Sequence, residues 1–137
     1  MKTFMTIAAL CIGLLGTAQN EGVTLTVIIE NLSNDDGKAG IALYDEATFM
    51  KAAPLQEASS EITDRQVTLI LENVTPGTYG ITALHDKNGN NRMDFEPNGM
   101  PKEAYGVSNN IMSFGPPQWD DAKFNVGTDD KTITIRF

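Results

Sequence analysis

Cysteine is almost missing from this chain of 137 residues: its one instance is Cys11, inside a leading apolar run. Loss of that run removes all thiol chemistry, and with it disulfides, cysteine-based zinc sites and cysteine nucleophiles. Histidine is as scarce, with His85 alone, and no serine or second-histidine motif stands near it. Basic residues are few, ten Lys and Arg against 18 Asp and Glu, for a formal net charge of −8. Such a surface repels nucleic-acid phosphates and anionic lipid, and favours solubility and cations. Long apolar runs are confined to Phe4–Leu15, too short to cross a bilayer, which takes about 20 residues. Repeats, low-complexity segments and linkers are lacking as well.

What the N-terminus does contain is a secretory signal pattern. Lys2 supplies the positive start, Phe4–Leu15 the apolar stretch, and Gly16-Thr17-Ala18 the small residues read by a signal peptidase. Leu10, a large residue before Cys11, argues against lipoprotein processing. The expectation is a signal peptide over 1–18 and one domain over 19–137, secreted or periplasmic, with no membrane span after cleavage.

Period-two alternation dominates that domain. Val23, Leu25, Val27 and Ile29 alternate with more polar neighbours, as do Ala39, Ile41 and Leu43; Val67, Leu69 and Leu71; Tyr79, Ile81 and Ala83; and Ile133, Ile135 and Phe137. Each run has strand length and one face for a core. Further strands are expected at Ala122–Val126 and, weakly, around Val107–Met112. Asn34-Asp35-Asp36-Gly37 is expected to join the first two strands as a hairpin; Pro76-Gly77 marks a turn between the third and fourth, and Gly127-Thr128-Asp129-Asp130 joins the last pair. Glu46–Ala53 is the one helical candidate. The fold predicted is all-β: a single antiparallel sandwich of six to seven strands, Ig-like or transthyretin-like, with one long loop and at most a short helix.

The long loop begins at Asp86 and carries the one stretch with recognisable chemistry. Asp86, Asn88, Asn90 and Asp94 stand at positions one, three, five and nine, and Arg92 would offer its backbone carbonyl at position seven. Alternate oxygen-bearing residues aimed at one centre are the opening of a calcium-binding loop. An EF-hand needs glycine at six and a bidentate acid at twelve; here Asn91 and Pro97 stand there, with Glu96 one place early. The flanks read as strand and Pro/Gly-rich segment, not paired helices. The competing reading is an Asx-turn-rich loop whose Asn and Asp bond to their own backbone.

Other residues carry weaker signals. His85 beside Asp86 suggests a base, or a packed polar group ending a strand. Glu103, Asp120 and Asp121 could pair as carboxylates, but the sequence fixes no distance between them. Tyr105, Phe114 and Trp119 in the irregular half suggest a sugar-binding or partner surface, or aromatics that anchor loops.

Ala42-Leu43-Tyr44, Pro76-Gly77-Thr78-Tyr79, His85-Asp86-Lys87-Asn88-Gly89-Asn90, Gly99-Met100-Pro101, Glu103-Ala104-Tyr105-Gly106, Ser108-Asn109-Asn110, Phe114-Gly115-Pro116-Pro117, Asp121-Ala122-Lys123-Phe124 and Thr132-Ile133-Thr134-Ile135 together resemble the bacterial secreted domain-of-unknown-function family 2141. The resemblance covers about residues 23 to 137 and implies no activity. The Pro-Gly-Thr-Tyr turn also resembles that of transthyretin-like and carboxypeptidase-regulatory-like sandwiches, which implies a non-catalytic module.

The functional expectation is therefore a non-catalytic β-sandwich module, a monomer, in which calcium on Asp86, Asn88, Asn90, Arg92 and Asp94 stabilises a long loop that engages a protein or glycan. The alternative is a carbohydrate- or envelope-binding module using Tyr105, Phe114 and Trp119. Below it stands a hydrolase using His85.

Overall fold

A computed structural model describes residues 22–89, 97–98, 103–111 and 116–137. Alternating side chains build eight strands: β1 (Val23–Glu30), β2 (Lys38–Tyr44), β3 (Gln56–Glu61), β4 (Val67–Val74), β5 (Gly77–Asp86), β6 (Tyr105–Val107), β7 (Phe124–Val126) and β8 (Lys131–Arg136). They form two sheets. The smaller is ordered β4-β1-β8, and the larger β3-β2-β5-β6, with β7 also pairing β5. The predicted all-β sandwich is thus present. All ladders are antiparallel except β1 with β8, which run parallel from Leu25↔Lys131 to Glu30↔Arg136. Among the described residues no helix is long and apolar enough to cross a membrane.

Three of the expected connections join strands of different sheets. β1 and β2 lie in different sheets, as do β4 and β5, and β7 and β8. The segment around Asn34–Gly37 is therefore a crossover, not a hairpin. Leu32 is the physical reason: it is fully buried, and its apolar side chain draws the connection across the end of the sandwich. The helix expected over Glu46–Ala53 is a run of turns. Asp45 and Thr48 do bond each other as at a helix start, and the Phe49 N–H reaches the Asp45 carbonyl at 2.9 Å. Met50 then takes φ 57°, in the left-handed region, and stops propagation. One helical turn, α1 (Trp119–Ala122), occupies the start of the strand expected from Ala122, and a 3-10 turn at Ser108–Asn110 replaces the weak strand expected there.

The main core lies between the sheets. Leu25, Val27 and Ile29 of β1, Leu43 of β2, Leu71 of β4, Ile81 of β5 and Ile135 of β8 are essentially inaccessible to solvent. A second, smaller cluster covers the other face of the larger sheet: Phe49, Val107 and Ala122 are buried, with Tyr44 and Trp119 packed against them. Trp119 comes so close to β5 that a Cβ on Gly80 would lie 3.3 Å from its ring. On this outer face of β5, Gly80, Thr82, Leu84 and Asp86 follow one another, with Tyr105 and Val107 of β6 opposite Leu84 and Thr82.

Candidate functional site

The Asp86 loop leaves from the last residue of β5, and its base is clamped from two directions. On the core side, His85 is fully buried, and its Nε2 donates to the Asp36 carbonyl at 2.8 Å. This bond fastens the β1–β2 crossover to the end of β5. Gly37 follows at φ 68°, where a Cβ would lie 2.2 Å from the Asp86 carbonyl oxygen. Glycine is required both for the backbone angle and for the approach. The Gly89 N–H then reaches back to the Asp86 carbonyl at 3.3 Å and closes the first turn of the loop.

On the outer face, the site is a row of charges. Lys38 of β2 stands directly between Glu61 of β3 and Asp86 of β5. The His85 N–H donates to the Ala104 carbonyl at 3.0 Å, which carries the β5–β6 register on and sets Glu103 opposite Asp86. The Lys87 N–H donates to Glu103 Oε2 at 2.7 Å. Asp86 is 3% exposed and Glu103 7%, so two carboxylates enter the loop's base almost out of water. Buried carboxylates are costly unless their oxygens find donors or a cation. Among the described residues Glu103 Oε1 has no hydrogen-bond partner.

The sequence-predicted ligands divide accordingly. Asp86 and Asn88 are described, the first buried and the second exposed. Asn90, Arg92 and Asp94, with Glu96, lie outside the described residues. Among the described residues no group of three or more His, Cys, Asp or Glu side chains comes together. Glu103 was legible only as a carboxylate without a known neighbour. The signal that could have placed it is Tyr105-Gly106-Val107, a short apolar run able to pair with β5. Such pairing brings Glu103 to Asp86 and leaves Asp120 and Asp121 near the opposite end of the face. The oxygen-only chemistry at the loop's base suits a hard cation.

The aromatic candidates are also separated. Trp119 packs against Phe49 with the rings tilted by 58° and their centroids 5.7 Å apart, and Phe49 meets Tyr44 edge-on at the same distance. Trp119 also borders an open groove of about 460 Å³, lined by Asp45, Glu46, Ala47, Thr78, Asp120 and Lys123. Lys123 Nζ and Asp120 pair there at 3.3 Å. Tyr105 is half-buried on the same sheet face, beside Leu84, four positions along β5 from Gly80 and so about 13 Å away. Phe114 lies outside the described residues.

His85 has no surface to offer a substrate. Its ring is enclosed, its Nε2 holds a backbone carbonyl, and its Nδ1 is buried without a partner among the described residues.

Residues 27–134 match the profile of a family described as uncharacterized protein conserved in bacteria, DUF2141. No curated protein and no solved structure matches the chain.

Proposed function

The chain belongs to the bacterial family DUF2141, and on that premise we propose that it is an exported, non-catalytic β-sandwich module whose Asp86 loop binds calcium. The ion would hold a long loop in shape for contact with a protein or glycan. Asp86 carries this reading: a carboxylate 3% exposed at the end of β5 opens the alternating Asp86, Asn88, Asn90, Arg92, Asp94 pattern. Asn88 and Asn90 would add amide oxygens, Arg92 its carbonyl, and Asp94 a second loop carboxylate or a water holder. Few of these ligands are charged, so affinity belongs in the range of extracellular modules, about 10⁻⁴–10⁻³ M. The Pro76-Gly77-Thr78-Tyr79 turn supports a transthyretin-like or carboxypeptidase-regulatory-like kinship as a fold-level analogy, which carries no function by itself.

Thermal melts in calcium and in chelator test the ion. A ligand that binds only the folded state adds about 2.7 kcal/mol at a hundredfold excess over Kd, near 10 mM calcium for a site of about 10⁻⁴ M. At roughly 4 °C per kcal/mol the melting temperature should rise by about 10 °C. The Asp86→Ala variant should lose this rise. No calcium-dependent shift in the native protein, or an equal shift in the variant, ends the proposal. Export is read from the same preparation: protein recovered from the periplasm or medium should begin at Gln19 by mass spectrometry.

A second reading is favoured by one observation, the open groove beside Trp119. An aromatic face bordered by carboxylates and a lysine suits a sugar ring, which stacks its C–H face and hydrogen-bonds its hydroxyls. Titration with soluble polysaccharides should then shift Trp119 emission, and a flat response across a panel removes this reading. Hydrolysis through His85 has no comparable support, because the ring is enclosed.

A further inference from the structure

We infer that Glu103 is a charged ligand of the cation at the Asp86 loop, coordinating through Oε1 from the segment that leads into β6. This rests on the reading of that loop as a site for a hard divalent cation. It adds a ligand seventeen residues beyond Asp86, where no contiguous loop pattern would look for one.

Three observations carry it. The first is the state of the side chain itself. Glu103 is 7% exposed, its Oε2 is pinned by the Lys87 N–H at 2.7 Å, and its Oε1 is buried with no partner among the described residues. A carboxylate held by one oxygen at the first turn of an Asn- and Asp-rich loop presents its other oxygen there. A buried carboxylate oxygen requires a donor or a cation. A cation meets the requirement directly.

The second is the charge row. Across three strands and the segment leading into β6 the outer face reads Glu61, Lys38, Asp86, Glu103, one ammonium among three carboxylates. Like charges directly opposite each other destabilise a sheet, and more so when both are withdrawn from water. A divalent ion between Asp86 and Glu103 reverses the sign of that interaction. The third is the loop's own deficit. Pro97 stands where a contiguous calcium loop needs its closing acid, and Glu103 supplies an acid from outside the repeat.

Calorimetric titration of the chelator-treated protein with calcium tests this, beside Glu103→Gln and Lys38→Met variants. The glutamine amide in Glu103→Gln keeps a carbonyl oxygen for the Lys87 N–H, so a merely structural Glu103 would leave calcium affinity unchanged. As a ligand, its loss of charge should weaken calcium by about tenfold or more. Lys38→Met should tighten binding about twofold to fivefold, since it removes a competing cation beside Asp86. Native-like affinity in Glu103→Gln, with the wild type binding, overturns the role of Glu103 and leaves the loop reading standing. Absence of saturable calcium binding in the wild type overturns both. Should Glu103→Gln fail to fold, unchanged or weaker calcium binding in Lys38→Met counts against the inference.

Discussion

At the scale of single residues, this molecule is held by polar side chains that reach across the chain. Ser108 is fully buried; its hydroxyl accepts the Ile81 N–H at 3.1 Å and donates to the Ala122 carbonyl. Asn109, at φ 69°, donates to the carbonyls of Asp121 and Lys123, each at 2.9 Å. Asn110 extends β8 by side-chain mimicry, donating to the Thr134 carbonyl and accepting the Arg136 N–H. Three consecutive residues thus tie β5, α1 and β8 together. Ser108→Ala should leave a buried N–H and a buried carbonyl without partners and cost about 1–3 kcal/mol. Urea denaturation reads this as a lower midpoint at unchanged slope, and an unmoved midpoint would contradict the role. None of it was legible in the sequence, where Ser108-Asn109-Asn110 is only a polar triplet. The partners lie 12 to 27 residues away, and composition does not say where a hydroxyl will be buried. His85 was legible in kind, since a packed polar group ending a strand was one of its two readings, but its partner Asp36 was not.

At the scale of elements, what was legible followed from burial on one side. β1, β2, β4, β5 and β8 each alternate because one face meets the core, and the alternation is written in Val, Leu and Ile. β3 is the counterexample. Gln56-Glu57-Ala58-Ser59-Ser60-Glu61 contributes little to the core and pairs only β2, along the edge of the larger sheet. Its charges blunt that edge against pairing with other chains, and they also erase the pattern by which a strand is recognised. The turns of 46–51 err in the opposite direction, since Phe49 and Met50, apolar and available for packing, do not reveal a left-handed backbone at Met50. Sheet-switching was illegible for a similar reason. A turn motif marks where a chain bends, and whether it returns to the same sheet depends on what its connection buries, here Leu32. For the candidate site, the opening Asp86 and Asn88 were legible by spacing, and Glu103 was not, because its proximity is a product of β5–β6 pairing.

At the scale of the whole molecule, the smaller sheet closes through its last strand. β8 lies parallel to β1, and three further bonds span 106 residues: Thr24 to Asp130, Asn31 to Phe137 and Arg136 to Glu30. Ile135 is fully buried. Deleting residues 131–137 should therefore strip one edge of β1 and open the core together. The expected result is loss of a cooperative thermal transition and association of chains through the bared strand, seen by calorimetry and size-exclusion chromatography. A compact truncated monomer that melts cooperatively would refute this.

The parallel pairing of β1 with β8 also sets an order of events in time. β1 and β8 are partners about 106 residues apart, as in Leu25↔Lys131, so the smaller sheet cannot be completed until β8 is present. Contacts of such long separation form slowly. Until β8 is in place, β1 keeps a bare edge and the core lacks Ile135, so the smaller sheet is the late event in folding.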